Sequence, residues 1–345
     1  MQGVAMLDDQ SYISRFDSKD ALGIAMDEWQ QLEAEFSLDT QNFDVKNIVF
    51  AGMGGSALAA ELAKVWPGFS VPFEVCRNYT VPAYVTSDTL VIASSYSGNT
   101  EETVAACNDA LDKGAHVLVI ASGGELAKIA SEKNLPLLEL PTDLQPRHAV
   151  LYSFKALVTI LEEAGFLNEE QASVTLHKTA EFLKGALASW GPSTPTKDNL
   201  AKQIAEHMAG KTPIIYGGLL YPAAYKWKIN CNENAKNTAW CNQYSEFNHN
   251  EFLGWSSHPI EKPFAVFDLI SSFDHPQIKK RFVLSDKLLS GKRPKAWQIA
   301  AEGETVLEEL LWAVALGDMT SIYLALLNGV NPTPVDLIEK LKKEL

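Results

Sequence analysis

Short apolar runs alternate with stretches of helical periodicity in the first 135 residues of the chain. The runs at residues 47–52, 89–94 and 116–121 are almost entirely aliphatic, and each leads through glycine or hydroxyl residues into a helical stretch. These stretches extend from Ser56 to about Val65, from Glu101 to Lys113, and from the third run to Glu132. Continuous apolar strands alternating with helices are typical of βαβ units, whose parallel sheet is covered on both faces. The pattern predicts an α/β domain.

The same order of elements returns in the second half of the chain. A strand that runs into glycines is predicted at 211–218, a long helix at 223–236 and a further strand at 264–269. The intervening residues 151–206 have mostly helical periodicity, with a break at 190–195. Two strand-to-glycine openings indicate two related α/β domains in tandem.

Both ends of the chain are predicted to be helical. Residues Ser18 to Phe36 have the apolar spacing of an amphipathic helix. Near the other end, Thr333 suits an N-cap and Pro334 the first position of a helix that continues to Leu345.

These elements predict an α/β fold of two tandem domains, each a parallel sheet flanked by helices. At roughly 150 residues per domain, 345 residues correspond to about two domains. We expect a helical N-terminal extension at 1–45, a first domain at 46–155, a helical connection at 156–210, and a second domain with a C-terminal helix at 211–345.

The charge of the chain argues against polyanionic partners. Lys and Arg number 29 and Asp and Glu 43, which gives a formal net charge of −14. Long-range repulsion therefore disfavours nucleic acid and anionic membrane surfaces. We find no secretory signal and no uninterrupted apolar window of membrane-spanning length. The four cysteines form no C-x-x-C pair, which fits free thiols in a reducing cytoplasm, and we expect neither a metal nor another cofactor.

A glycine-rich turn follows the first predicted strand. Gly54, Gly55 and Ser56 stand where the strand passes into a helix, so the backbone can approach a ligand and helix N–H groups can face an anion. The dinucleotide fingerprint G-x-G-x-x-G is only partial, because Ala57 stands where its third glycine would be. Taken alone, this turn is equally compatible with a tight strand-to-helix connection.

A hydroxyl-rich turn follows the second predicted strand and is more informative. Ser94, Ser95, Ser97 and Thr100 stand at one strand-to-helix transition, which is more hydroxyls than a helix cap requires. Ser95, Ser97 and Thr100 can surround three phosphate oxygens with neutral donors, aided by the helix dipole. The competing interpretation is a serine- and threonine-rich turn with an ordinary cap.

Seven short motifs in this order resemble a known family. The first three are similar to a sugar isomerase (SIS) domain, and the others to the bifunctional phosphoglucose/phosphomannose isomerases of archaea and bacteria. The motifs are G-M-G-G-S at 52–56, S-Y-S-G-N-T-E-E-T at 95–103, A-S-G-G-E-L-A at 121–127, Q-P-R at 145–147, Y-G-G at 216–218, N-E-N-A-K at 232–236 and F-N-H-N-E at 247–251. The resemblance implies two SIS-type domains and an aldose–ketose isomerase that connects glucose 6-phosphate, mannose 6-phosphate, or both, with fructose 6-phosphate.

The resemblance also implies roles for three residues. Isomerisation through a cis-enediol needs a base, a ring-opening acid or base, and positive charge near the developing oxyanion. Glu233 of the N-E-N-A-K motif would be the base, and His249, whose unperturbed pKa lies near neutrality, would open the ring from across a homodimer interface. Arg147 would stabilise the enediolate with a permanently charged guanidinium.

The resemblance further implies that the C-terminal helix supplies a lysine that assists ring opening. Lys340 and Lys342 are both candidates, and the sequence does not decide between them. The resemblance also implies a small hydroxyl residue that leaves room for both C2 epimers, and Thr333 is a candidate for it.

Two other functions compete with this interpretation. One is a sugar-phosphate-binding SIS regulator, although no basic helix-turn-helix arm precedes residue 48. The other is an isomerase of amino-sugar or pentose phosphates.

Overall fold

A computed structural model of the chain describes residues 6–38, 43–169, 171–257 and 263–344, apart from the side chains of residues 257, 342 and 343. The chain forms two compact units. The first unit is Glu28–Glu181, and the second unit combines Met1–Asp27 with Phe182–Leu345. Residues of the predicted extension 1–45 thus enter both units, and the four domain boundaries remain a prediction.

The helices and strands are named here in chain order. The helices are α1 (Gln10–Phe16), α2 (Ala21–Met26), α3 (Gly54–Val65), α4 (Glu101–Asp112), α5 (Gly124–Lys133), α6 (Val150–Glu163), α7 (Ala172–Ser189), α8 (Leu200–Met208), α9 (Tyr221–Glu233), α10 (Glu251–Gly254), α11 (Pro276–Leu288), α12 (Val306–Leu327) and α13 (Asp336–Glu344). The strands are β1 (Asn47–Ala51), β2 (Phe73–Cys76), β3 (Thr89–Ser94), β4 (His116–Ala121), β5 (Leu137–Glu139), β6 (Thr212–Gly217), β7 (Trp240–Gln243), β8 (Phe264–Ile270) and β9 (Trp297–Ala300).

The first unit contains a parallel sheet in the order β2-β1-β3-β4-β5. Every residue of β3 is buried, as expected for a strand covered on both faces. Side chains from alternate positions of β1, β3 and β4 pack with α4 and α5 in one apolar cluster, while α3 packs against α6. The carboxyl ends of β1 and β3 therefore open at one edge, where the glycine and hydroxyl turns begin.

The second unit contains a parallel sheet in the order β7-β6-β8-β9, with α9 packed on β6. Helix α12 packs against α8 and α9. It has the length and, at 1.7, the mean hydropathy of a membrane span, but 94% of its 18-residue apolar window is buried inside the protein. That degree of internal burial is the arrangement of a core helix.

The predicted α/β class with two parallel sheets flanked by helices is confirmed, whereas both predicted terminal helices are wrong in their limits. Instead of one helix from Ser18 to Phe36, α2 ends at Met26, and the 3-10 helix Glu28–Glu33 follows. Asp20 caps α2 by accepting the N–H of Gly23.

Thr333 and Pro334 do not begin the C-terminal helix. The N–H of Thr333 donates to Asn331 Oδ1 at 2.9 Å, which forms a local turn, and α13 begins only at Asp336. The backbone carbonyl of Val335 accepts the N–H groups of Ile338 and Glu339 and so takes the capping position.

Candidate active site

The glycine and hydroxyl turns of the first unit lie against each other. Strands β1 and β3 are parallel neighbours, with Ala51 opposite Ala93, so the two turns leave the same edge of the sheet. A Cβ atom on Gly52 would lie 2.9 Å from the carbonyl oxygen of Ser94, which explains why glycine is needed there. The buried Ser56 Oγ accepts the N–H of Tyr96 at 3.2 Å and joins the two turns directly.

The hydroxyls of the second turn bond to one another and do not cap α4. Ser95 Oγ and Thr100 Oγ1 are 2.8 Å apart, and Ser95 is 2% exposed. Thr100 occupies the N-cap position, yet no side chain in the described parts of the chain caps this helix. The first-turn N–H groups of α4 therefore have no side-chain cap from the described residues and remain available to a ligand, and Ser97 is exposed nearby. This arrangement favours an anion site over the ordinary-cap interpretation.

The shape of the hydroxyl turn is fixed by a close backbone contact. Gly98 has φ +69°, and a Cβ atom there would overlap the carbonyl oxygen of Gly123. The adjacent Asn99 accepts the N–H of Glu125 through Oδ1 at 2.9 Å. The turn after β3 is thus held against the start of α5.

Gly98→Ala is expected to destabilise the protein by about 2–5 kcal/mol, because a left-handed φ and a steric clash both oppose the new methyl group. Gly114→Ala is the matched control, since Gly114 has φ +74° but has nothing within 4 Å of the position that an added methyl group would take. It should cost only about 1–2 kcal/mol. Urea unfolding of both variants measures the difference, and equal losses would contradict the contact with Gly123.

Arg147 lies next to the glycine turn. It sits in the 3-10 helix Pro146–His148 directly before α6 and is 2% exposed. A Cβ atom on Gly55 would lie 2.9 Å from the carbonyl oxygen of Pro146. Gly55 therefore permits the segment that carries Arg147 to press against the start of α3.

Gln31 is a supporting residue that the sequence analysis missed. Its Nε2 donates to the carbonyl oxygen of His148 at 2.7 Å, and its Oε1 accepts the N–H of Tyr152 at 3.0 Å. Gln31 is 4% exposed and holds the segment that carries Arg147. A lone glutamine 117 positions away gives no sequence signal for such a contact.

Glu233 in the second unit is the last residue of α9 and is partly buried. The side of α9 that carries Lys226 and Asn230, seven and three residues before Glu233, is fixed to α12 by buried polar groups. Lys226 Nζ lies 2.5 Å from Asp318 Oδ1, and Asn230 Nδ2 donates to the same oxygen. Asn234 donates to Ser321 Oγ at 2.9 Å. The end of α9, and with it Glu233, is therefore rigidly placed.

Thr333 is brought to the same end of α9. Lys236 Nζ donates to the carbonyl oxygens of Glu233 at 3.0 Å and of Asn331 at 2.7 Å. Asn331 in turn accepts the N–H of Thr333. Within the second unit, the structure therefore places the Thr333 segment beside the proposed base.

His249 is exposed, whereas its neighbours are anchored. Asn248 Nδ2 donates to Ser285 Oγ at 2.9 Å. Glu251 accepts hydrogen bonds from the Tyr216 hydroxyl and from Asn242 Nδ2. Burial, followed by the nearby Glu251 carboxylate, raises the pKa of Tyr216, so its hydroxyl stays a donor. The imidazole thus projects from a fixed 3-10 helix, Glu246–His249.

The two candidate lysines both belong to α13. Lys340 is exposed on the helix, and the side chain of Lys342 lies outside the described residues.

The second strand-to-glycine opening is filled by a side chain of the protein. Asp274 Oδ1 accepts the N–H of Leu219 at 2.7 Å, and a Cβ atom on Gly218 would overlap that oxygen. Burial raises the pKa of Asp274. A carboxylate of the protein therefore binds the backbone of this turn, whereas no side chain of the described residues caps α4, so the two related turns differ in chemistry.

Cysteine and acidic side chains form no evident metal centre. The four cysteines are free, and no three His, Cys, Asp or Glu side chains are grouped to hold an ion within the described residues.

Two family models match the chain. Residues 43–159 match the SIS domain, and residues 197–345 match the bacterial phospho-glucose isomerase C-terminal SIS domain. The two matches fall on the two parallel sheets.

Relatives and solved structures agree with this assignment. A bifunctional phosphoglucose/phosphomannose isomerase from Caldicellulosiruptor bescii is 36% identical over 91% of this chain and 94% of its own. A D-glucosamine-6-phosphate 4-epimerase from Sulfolobus acidocaldarius is 36% identical over 61% of this chain and 65% of its own. A glucose-6-phosphate isomerase like protein from Thermus thermophilus shares the fold, with a TM-score of 0.66 and 17% identity over 98% of this chain and 99% of its own. The family predicted from the motifs is confirmed: the chain belongs to the bifunctional phosphoglucose/phosphomannose isomerases.

Proposed function

We propose that the protein interconverts glucose 6-phosphate and mannose 6-phosphate with fructose 6-phosphate. The observation that carries the proposal is 36% identity to a bifunctional isomerase over 91% of the chain. The protein acts in the cytoplasm. It needs no metal, because its own acidic and basic side chains can transfer the proton between C1 and C2.

The phosphate ester binds at the hydroxyl turn of the first unit. Ser95, Ser97 and Thr100 donate hydroxyl protons, and the start of α4 supplies N–H groups and the positive end of its dipole. Gly54, Gly55 and Ser56 form the neighbouring wall. The absence of a side-chain cap on α4 among the described residues supports this role. Neutral donors suit a chain with a net charge of −14, since they need no lysine at the ester.

Glu233 moves the proton between C1 and C2 of the open-chain sugar. It removes the proton from C2 of the aldose, which leaves a cis-enediolate charged on O1. A proton then passes from the C2 hydroxyl to O1, and Glu233 returns its own proton to C1 to give the ketose. Arg147 stabilises the oxyanion that develops during this transfer, because its guanidinium stays charged. Thr333 lines the C2 side, where a small side chain tolerates both epimers.

His249 opens the sugar ring in the site of the neighbouring subunit of a homodimer. Its exposure on an anchored 3-10 helix supports a role outside its own unit. One of Lys340 and Lys342 assists ring opening from α13.

An assay of both epimers tests the proposal. After treatment with a chelator and without added metal, the purified protein is expected to convert fructose 6-phosphate into both aldose phosphates. Product formation is followed by NMR, with rates measured separately on glucose 6-phosphate and mannose 6-phosphate. Complete loss of activity on chelation, or turnover of neither aldose, would contradict the proposal.

The relative from Sulfolobus acidocaldarius supports one alternative, an epimerase of an amino-sugar phosphate. Glucosamine 6-phosphate added to the same assay distinguishes the two functions. Formation of its C4 epimer at a higher kcat/KM than fructose 6-phosphate formation would favour the alternative.

A further inference from the structure

We propose that Lys236 is a positioning residue that holds the Thr333 segment against the end of α9 and thereby sets the relative rates for the two C2 epimers. The proposal rests on the proposed function and assigns a task to the one cationic residue of the N-E-N-A-K motif. Lys236 itself touches neither substrate nor the reacting atoms.

The Lys236 ammonium is surrounded by backbone carbonyl oxygens from two separate segments. Its Nζ lies 3.0 Å from the carbonyl oxygen of Glu233 and 3.1 Å from that of Asn234. The carbonyl oxygens of Asn331 and Pro332 lie 2.7 and 3.2 Å away. An ammonium has three protons and no acceptor, so four carbonyls share three donors. Charge-assisted hydrogen bonds are stronger than neutral ones, and these bridge segments 95 residues apart.

The backbone of Lys236 is held in an unfavourable conformation. Its φ of +53° lies in the left-handed region, which is uncommon for a residue with a long side chain. Such a conformation costs about 1–3 kcal/mol and persists only where surrounding contacts determine it. Here the left-handed residue turns the chain at the end of α9 so that the side chain meets the last carbonyl groups of that helix. The left-handed backbone of Lys236 and the hydrogen bonds of its ammonium therefore belong to one structural feature.

A second bond runs parallel to this bridge. Asn328 Nδ2, just after α12, donates to the carbonyl oxygen of Ala235 at 3.0 Å. Hydrogen bonds of Asn328 and Lys236 therefore hold the segment from Asn328 to Thr333 against residues 233–236. Of these two side chains, Lys236 bonds nearer to Thr333 in the chain. Loss of Asn328 leaves the bridge itself intact, whereas loss of the Lys236 ammonium releases the segment that carries Thr333.

The geometry links the bridge to epimer selection. Glu233 acts at C2, and the epimers differ only in which side of C2 carries the hydroxyl. The relative position of Glu233 and Thr333 therefore decides how well each epimer fits. A displacement of about 1 Å at a catalytic group can lower the rate by about 100-fold.

Four variants test the proposal. Lys236→Met keeps a long stem but lacks donors, Lys236→Gly also relieves the left-handed φ, and Lys236→Arg restores charged donors. Lys279→Met is the matched control, because Lys279 Nζ also donates to a backbone carbonyl, that of Ser272, but does not contact Glu233 or the Thr333 segment. For each variant, kcat and KM are measured on both aldose phosphates, together with the midpoint of urea unfolding.

The Met and Gly variants are expected to lower kcat by about 10–100-fold while KM stays within about twofold. The ratio of the two kcat/KM values should change by more than about threefold, whereas Lys236→Arg should recover most of the rate. Lys279→Met should leave every kinetic value unchanged. If Lys236 has a purely structural role, its loss should lower the unfolding midpoint and the fraction of active protein. The rates for both epimers would then fall equally.

The proposal is overturned if the folded Met and Gly variants keep the wild-type epimer ratio and kcat, or if Lys236→Gly restores both by relieving the backbone. Failure of the proposed function is a separate result, because wild-type protein would then turn over neither aldose phosphate.

Discussion

Glu233→Gln is expected to abolish exchange of the C2 hydrogen with solvent while leaving sugar-phosphate binding nearly unchanged. The amide keeps the shape of the side chain at the end of α9 but cannot accept the proton, so kcat should fall by about 100- to 10,000-fold. The exchange is measured by NMR in D₂O with fructose 6-phosphate or either aldose phosphate. Binding is measured by calorimetry with the same sugar phosphate.

The matched control for this substitution is Glu206→Gln. Glu206 is an exposed glutamate on α8 in the same unit, so the change in charge is identical but the proposed base is intact. The control should retain wild-type turnover. Undiminished C2 exchange in Glu233→Gln would refute the assignment of the base, and loss of binding together with turnover would indicate a role in holding the substrate.

The central strands were predictable from the sequence because they are buried on both faces. The pattern located β1, β3, β4, β6 and β8, whose apolar runs are nearly continuous. Strands β2, β5, β7 and β9 were not predicted from the sequence. These strands contain only three or four residues each, of which at most one is buried. Short edge strands carry too few residues for a periodic signal.

Sequence motifs located the candidate site where its parts are local. The glycine and hydroxyl turns follow neighbouring parallel strands, so their meeting at one sheet edge follows from the fold class. Contacts between segments that are far apart in the chain produce no comparable motif in the sequence. Gln31 reaches His148, and Asp274 fills the turn at Gly218, each through a single polar side chain of ordinary type. Their partners are decided by tertiary packing.

The cap predicted at Thr333 shows the same limit. Threonine followed by proline suits a helix start, but Asn331 accepts the N–H of Thr333, and the Lys236 bridge holds the two residues before it. Tertiary hydrogen bonds therefore override the local propensity for a helix start, and α13 begins at Asp336.

Lys226→Met is expected to destabilise the protein by about 3–5 kcal/mol, because it leaves the Asp318 carboxylate buried without its counter-charge. The two side chains are 2% and 1% exposed, so water cannot replace the lost partner. Asp318→Asn should cost a similar amount for the complementary reason. Urea unfolding provides the measurement, and the exposed pair of Lys46 and Asp88 provides the control, in which Lys46→Met should produce little change.

The double variant Lys226→Met/Asp318→Asn separates the pair from packing alone. Removing both charges leaves no uncompensated ion, so its loss of stability should be smaller than the sum of the two single losses by up to about 3 kcal/mol. Strict additivity would show that the two groups do not interact in the folded protein. Because Asn230 donates to the same Asp318 oxygen and α9 ends at Glu233, the folded fraction of each single variant should also lose kcat. A folded single variant with wild-type kcat would show that the buried pair stabilises α9 without placing the base.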